Sequence, residues 1–183
     1  MTAVHGFVDE SVRSGTYRLT LVRVATADLM VVTRTIRQAI PTGRYRLHLS
    51  SEGAAGRRRI LRSLVKLPIR AYVMQTPYDG RTDDQVPRDR CLMAVAGLLP
   101  ELGVTVLVLD TRGHERDRRD RTRLGLDLKT PGRDERITYA HRGSRDEPLI
   151  ALPDAIGWAI GAPRPWPDLV RSLCDVRTIP EVG

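Results

Sequence analysis

Four apolar segments of this sequence each deliver an acid at or near an end. Val4-His5-Gly6-Phe7-Val8 runs into Asp9-Glu10-Ser11, Glu52 follows Ser50-Ser51, Asp110 closes Val104–Leu109, and Asp154 interrupts the apolar stretch Pro148–Gly161. A single acid at an element end says little. A fold that gathers several must offset their mutual repulsion, and the usual means is a divalent cation held by carboxylate oxygens. Asp9, Glu10, Glu52, Asp110 and Asp154 are therefore the candidate catalytic residues. Asp9, Glu52, Asp110 and Asp154 are the candidate ligands of a divalent cation.

Each acid also has a plainer reading. Neighbouring strand residues point to opposite faces, so only one of Asp9 and Glu10 can aim at a site from a regular strand. Both could equally sit at a solvated strand end. Glu52 opens a helix, where an acid complements the helix dipole for about 0.3–1 kcal/mol without any further role. Asp110 ends a strand of the kind that is central in a sheet; it is placed either for a site at the carboxyl edge or as a cap for the next helix. Asp154 shares a helical face with Ile150 and Trp158, and a buried carboxylate there needs a cation, a donor or water. Backbone amides of a first helical turn, with Pro153 at the first position, would also satisfy it.

The chain carries 30 Lys and Arg against 22 Asp and Glu, a net charge of +8, and all but Lys66 and Lys129 of its basic residues are arginine. Arginine suits phosphate through its planar fork of donors, so nucleic acid is the expected partner; a GC-rich genome would produce the same bias. Arg58 and Arg62, in a basic row with Lys66, and Arg112 are the candidate substrate-binding cations, and His141 could touch phosphate. His48, four residues before Glu52, could face the same edge. His114, Asp117 and Asp120 recur at three-residue steps among arginines and read as an ion-paired, solvated helix face.

No apolar run approaches the ~20 residues of a membrane span, and no signal peptide pattern opens the chain. Cys91 and Cys174 are too few for a disulfide framework, so a reducing cytoplasm is the expected compartment. Glycine-rich phosphate loops, zinc spacing and Ser-His-Asp arrangements are missing from the sequence.

The elements that must position these residues alternate. Strands are expected over 4–9, 16–25, 44–50, 69–75, 104–110 and 137–141, and helices over 27–40, 53–66, 85–102 and 148–161, from period-two and three-to-four-residue patterns. The stretch 112–136 reads as a charged insertion, an exposed helix and then a loop around Pro131-Gly132. From about residue 163 a proline-rich tail ends in a short helix over 168–176. This is one α/β domain over 1–183, a mixed sheet of five to six strands with helices on both faces.

The strand ending Asp9-Glu10-Ser11, the second strand just behind it and the late Pro148-Leu149-Ile150-Ala151-Leu152-Pro153-Asp154 helix resemble the bacterial family called domain of unknown function 3800. Asp9-Glu10 is also similar to the first-strand pair of type 2 ribonucleases H. The resemblance implies a ribonuclease H-like fold. It further implies a two-metal nuclease in which Asp9, Glu52, Asp110 and Asp154 hold Mg²⁺ or Mn²⁺. The chain departs from the family where Val12 replaces glycine, where strand 69–75 carries no acid, and where Asp110 falls one strand further out than the usual ligand. The competing expectation is a non-catalytic nucleic-acid-binding or protein-interaction module of the same fold.

Overall fold

A computed structural model describes residues 3–81, 83–128 and 137–180. The chain opens with a hairpin, β1 (Val4–Arg13) and β2 (Thr16–Ala25), paired antiparallel along its whole length. The strands join through Ser14 and Gly15, both at positive φ (51° and 69°). That two-residue turn matches the twist of the flanking strands and needs glycine's freedom at one position. After α1 (Leu29–Ala39) and α2 (Ala54–Leu64) come β3 (Ile69–Pro77), α3 (Gln85–Leu98), β4 (Val104–Asp110) and α4 (His114–Leu128). β5 (Thr138–Arg142), α5 (Ala151–Gly161), the short α6 (Trp166–Val170) and β6 (Cys174–Thr178) complete it.

The six strands form one mixed sheet in the order β5-β4-β1-β2-β3-β6. β1–β2 and β2–β3 are antiparallel, whereas β4 lies parallel to β1 and β5 parallel to β4. This is a ribonuclease H-like α/β arrangement, as the sequence led one to expect. Side-chain alternation along β1 feeds two cores. Phe7 packs with α1, α2 and α5 on one face, and Val8 packs with α3 and β4 residues on the other.

α5 lies close over β1 and β2 because Gly157 has no side chain. A Cβ there would stand 2.8 Å from Thr20 Oγ1 and 3.1 Å from Ser11 Oγ. Both hydroxyls are buried, so neither can swing away into solvent. Gly157→Ala should therefore push α5 off the sheet and cost about 1–3 kcal/mol; a chemical denaturation curve with an unmoved midpoint would contradict this packing.

Three expected elements differ. Residues 44–50 form no strand: 44–48 are an irregular segment and Leu49–Ser51 a single 3-10 turn. Leu47 and Leu49 are nonetheless buried and Tyr45 exposed. Alternation there records which side chains meet the core, with no neighbouring strand to pair. The tail is the second difference, since residues 174–178 are a strand parallel to β3 in place of the end of a helix. Third, the face of α4 carrying Asp117 and Asp120 is buried (6% and 0% exposed). A helix so poor in apolar residues buries ion pairs where it meets the sheet. The expected loop around Pro131-Gly132 lies outside the described residues.

Candidate carboxylate site

β1 and β4 are parallel neighbours, with Val8 opposite Leu109, so Asp9 and Asp110 leave the sheet at the same carboxyl edge. Asp9 follows Phe7 onto the α5 face. Asp154 sits in the first turn of α5, which a 3-10 turn over Pro148–Ile150 precedes. Pro153 is thus the third helical residue, still among the positions whose amides have no intrahelical acceptor. These three acids, with Glu10, Arg46, His48 and Ser144, line a pocket of about 180 Å³ floored by Leu47, Ile150 and Ala151.

The electrostatics of the pocket are those of crowded negative charge. Burial, then the charges of Glu10, Asp110 and Asp154, push the Asp9 carboxyl up to about 9, against a hydrogen bond (2.7 Å) that its Oδ1 accepts from the Glu10 amide. Asp110 is raised to about 6 by burial and by Glu10, with the Thr111 amide and Arg46 opposing. Asp154 is raised by burial, and His48 and Arg46 oppose. His48 Nδ1 lies 2.8 Å from Asp154 Oδ2, so it does face the same edge, though the acid it meets is Asp154. Among the described residues Asp9 has no cationic side chain bonded to it.

Glu10 takes the opposite face, as strand geometry requires. Its Oε2 accepts from Arg88 Nη1 (2.6 Å) and its Oε1 pairs with Arg112 Nε (2.9 Å). Arg88, 1% exposed, also forks onto Asp120 and donates to the Tyr17 hydroxyl. Burial opposes ionisation of Asp120, but hydrogen bonds from His141 and Arg88 outweigh it and hold the carboxyl near 2. Glu10 thus shows its edge to the pocket while its charge is anchored behind the sheet.

Glu52 does not join the others. It pairs with Arg44 at 2.9 Å and is not among the pocket's lining residues. Lying between the 3-10 turn and α2, it starts no strand-edge approach to Asp9. Arg112 and His141, expected to meet substrate, have side chains only 5% exposed; Arg112 is spent on ion pairs with Glu10 and Asp84, and His141 Nε2 lies 3.2 Å from Asp120 Oδ2. Arg58 and Arg62 line a separate groove of about 700 Å³ between α1 and α2. β4 lies directly beside β1, so Asp110 ends the strand next to that of Asp9. Sequence reasoning overlooked Arg88, yet its spacing with Cys91, Leu92 and Val95 placed it on the buried stripe of α3.

As the side chains stand, no three Asp, Glu, His or Cys groups among the described residues converge closely enough to hold a metal ion. The donor chemistry still suits a hard divalent cation: Asp9, Asp110 and Asp154 offer only carboxylate oxygens. A cation would also remove the repulsion that raises Asp9. The linked pH dependence has a definite sign. A carboxyl raised to about 9 in the folded state favours folding at low pH, and that contribution is lost as pH climbs from about 4 through about 9. Metal competes with the bound proton, so added Mg²⁺ or Mn²⁺ should raise the melting temperature more at about pH 8 than at about pH 5. Equal shifts at both pH values, or none, would contradict the assignment.

No family model matches the chain, and no curated protein matches it. No helix among the described residues is long and apolar enough to cross a membrane.

Proposed function

We propose that this protein is a divalent-metal-dependent nuclease that hydrolyses phosphodiester bonds of RNA or DNA. The observation that carries the reading is a half-buried Asp9 facing Asp110 and Asp154 at one sheet edge, with no cationic partner among the described residues. In a ribonuclease H-like fold this edge lies where acids from strands and a late helix meet. Asp9, Asp110 and Asp154 would hold the ions. Mg²⁺ or Mn²⁺ in such a site supplies activated water and stabilises the leaving oxygen. His48 orients Asp154 through its 2.8 Å contact, and Arg46, the pocket's cation, is placed to meet a phosphate oxygen. Glu10 helps to set the charge of the pocket and is itself held by Arg88 and Arg112. The family of domain of unknown function 3800 remains the resemblance that suggested this reading. The two free cysteines suit the cytoplasm proposed for it.

The test is cleavage of labelled single-stranded RNA, single-stranded DNA and an RNA–DNA hybrid with Mg²⁺, Mn²⁺ or chelator. Metal-dependent cutting that Asp154→Asn abolishes supports the reading; no cutting of any substrate rejects it. A second reading, a non-catalytic nucleic-acid-binding module, is favoured by the loose grouping of the acids and the acid-free β3. It predicts salt-dependent binding that survives chelation and an absence of cleavage.

A further inference from the structure

Arg18, on β2, is only 9% exposed, yet no carboxylate among the described residues pairs with it. Its Nε donates to Gln75 Oε1 (3.2 Å) and its Nη1 to the Arg13 carbonyl (3.3 Å). Both acceptors are neutral. Burial and the neighbouring Arg13 charge disfavour its cationic form. A guanidinium kept so deep without an acid lacks the partner such groups normally have. It lines a cleft of about 470 Å³ with Gln75, Arg171, Ile160 and Cys174, between the end of α5, α6 and the β3–β6 edge. The exposed Arg171 is held only loosely by Asp168, at 3.8 Å. Two cations therefore face one cleft with little negative charge to balance them.

The cleft adjoins a stacking surface. A Cβ at Gly161, the last residue of α5, would stand 3.0 Å from Arg18 Nη1 and 3.6 Å from Arg13 Cβ. Arg13 in turn lies 5.5 Å from the ring centre of Trp158, and Arg57 4.7 Å from it. Trp158 is one helical turn beyond Asp154, and Gly161 is seven residues beyond Asp154, roughly 10 Å along the helix axis. Both guanidinia lie over the Trp158 ring, so an unpaired base, whose face a duplex keeps covered, would stack there by displacing one of them.

We propose that this cleft binds a phosphate of a single-stranded polynucleotide whose scissile linkage lies in the carboxylate pocket, with Arg18 and Arg171 on the phosphate and Trp158 against a neighbouring base. The proposal rests on the nuclease reading and names its substrate class.

The test measures fluorescence anisotropy of labelled oligo(dT) and oligo(rU), and of a duplex of the same length, with the full chain in chelator across a salt series. Arg18→Gln and Arg171→Gln should each weaken single-strand binding on the order of tenfold. Each should also lower the slope of log affinity against log salt by about one. Trp158→Leu should weaken single-strand binding by a similar factor and leave duplex binding unchanged. Arg34→Gln, on the exposed side of α1, should bind as the unaltered protein does. If Arg18→Gln fails to fold, as its thermal melt would reveal, the exposed Arg171 decides alone. Oligonucleotide binding unchanged in Arg171→Gln and in any folded Arg18→Gln would overturn the proposal. So would displacement by inorganic phosphate at the oligonucleotide's own affinity, which would mark a pocket for free phosphate. Because binding is read without metal, a protein that binds as described but never cuts loses the nuclease reading alone. One that cuts while these variants bind normally loses only the cleft.

Discussion

Replacing Asp9 by asparagine should make the protein more stable and inactive at once. The native carboxyl is raised to about 9 by burial and by three neighbouring acids, so near neutral pH the metal-free fold must either protonate it or tolerate its charge. Each unit of such a shift corresponds to about 1.4 kcal/mol. Asparagine keeps the shape and the acceptor for the Glu10 amide without the charge. We expect a gain on the order of 3 kcal/mol at neutral pH in chelator, a melting temperature higher by roughly 5–10 °C. Metal-dependent cleavage should fall about a thousandfold, the equivalent of some 4 kcal/mol of lost charge stabilisation in the transition state. The two results separate a functional carboxylate from a structural one. A structural Asp9 would lose stability on substitution, and a merely tolerated one would gain stability with cleavage unchanged. Differential scanning calorimetry beside a single-turnover cleavage assay reads both.

The opposite outcome is expected behind the sheet. Arg88→Met leaves Asp120 at 0% exposure without its bidentate partner and releases Glu10 to Arg112 alone. Removing one member of a buried ion pair strands the other's charge, which typically costs 3–5 kcal/mol, or about 10 °C in a domain of this size. Adding Asp120→Asn to Arg88→Met should restore stability, because the stranded charge goes with it. Urea unfolding of the two single variants and the double variant closes the cycle. A loss under about 1 kcal/mol for Arg88→Met would show that water already reaches this network.

These two substitutions describe the two faces of one strand. Asp9 meets negative charge with no cation bonded to it among the described residues, whereas Glu10 is balanced by two arginines. Their opposite fates follow from the period of two along β1. This much was legible in the sequence, where adjacent acids at a strand end already had to part company. The hairpin, β4 and α5 were legible as well. Each is a local pattern with a clear boundary: Gly15 at the turn, a continuous apolar run before Asp110, and Pro153 beside Asp154.

What was hidden depends on distant partners. Residues 44–48 show the alternation of a strand, but a strand exists only where another one pairs with it, and none is adjacent. Cys174–Thr178 carries little apolar signal because it is an edge strand half exposed on both sides, identified only by its pairing to β3. Glu52 looked like its fellow acids because sequence position does not reveal which edge a loop approaches. Arg44 sits eight residues before it and takes its charge locally. Arg112 read as an open cation because composition marks 112–136 as a solvated run; its pairs with Glu10 and Asp84 bury it, and contact with Asp120 of α4 covers His141 on β5. Arg18 left no trace beyond alternation along β2, since what distinguishes it is the acid it lacks.

The central claim is that Asp9, Asp110 and Asp154 jointly bind divalent cations. Anomalous diffraction from crystals soaked in Mn²⁺ tests it most directly. The account predicts manganese peaks within coordination distance of carboxyl oxygens of all three residues, with a pair of ions about 3.5–4 Å apart where two bind. Manganese bound elsewhere on the protein, with this pocket empty at saturating metal, would contradict it.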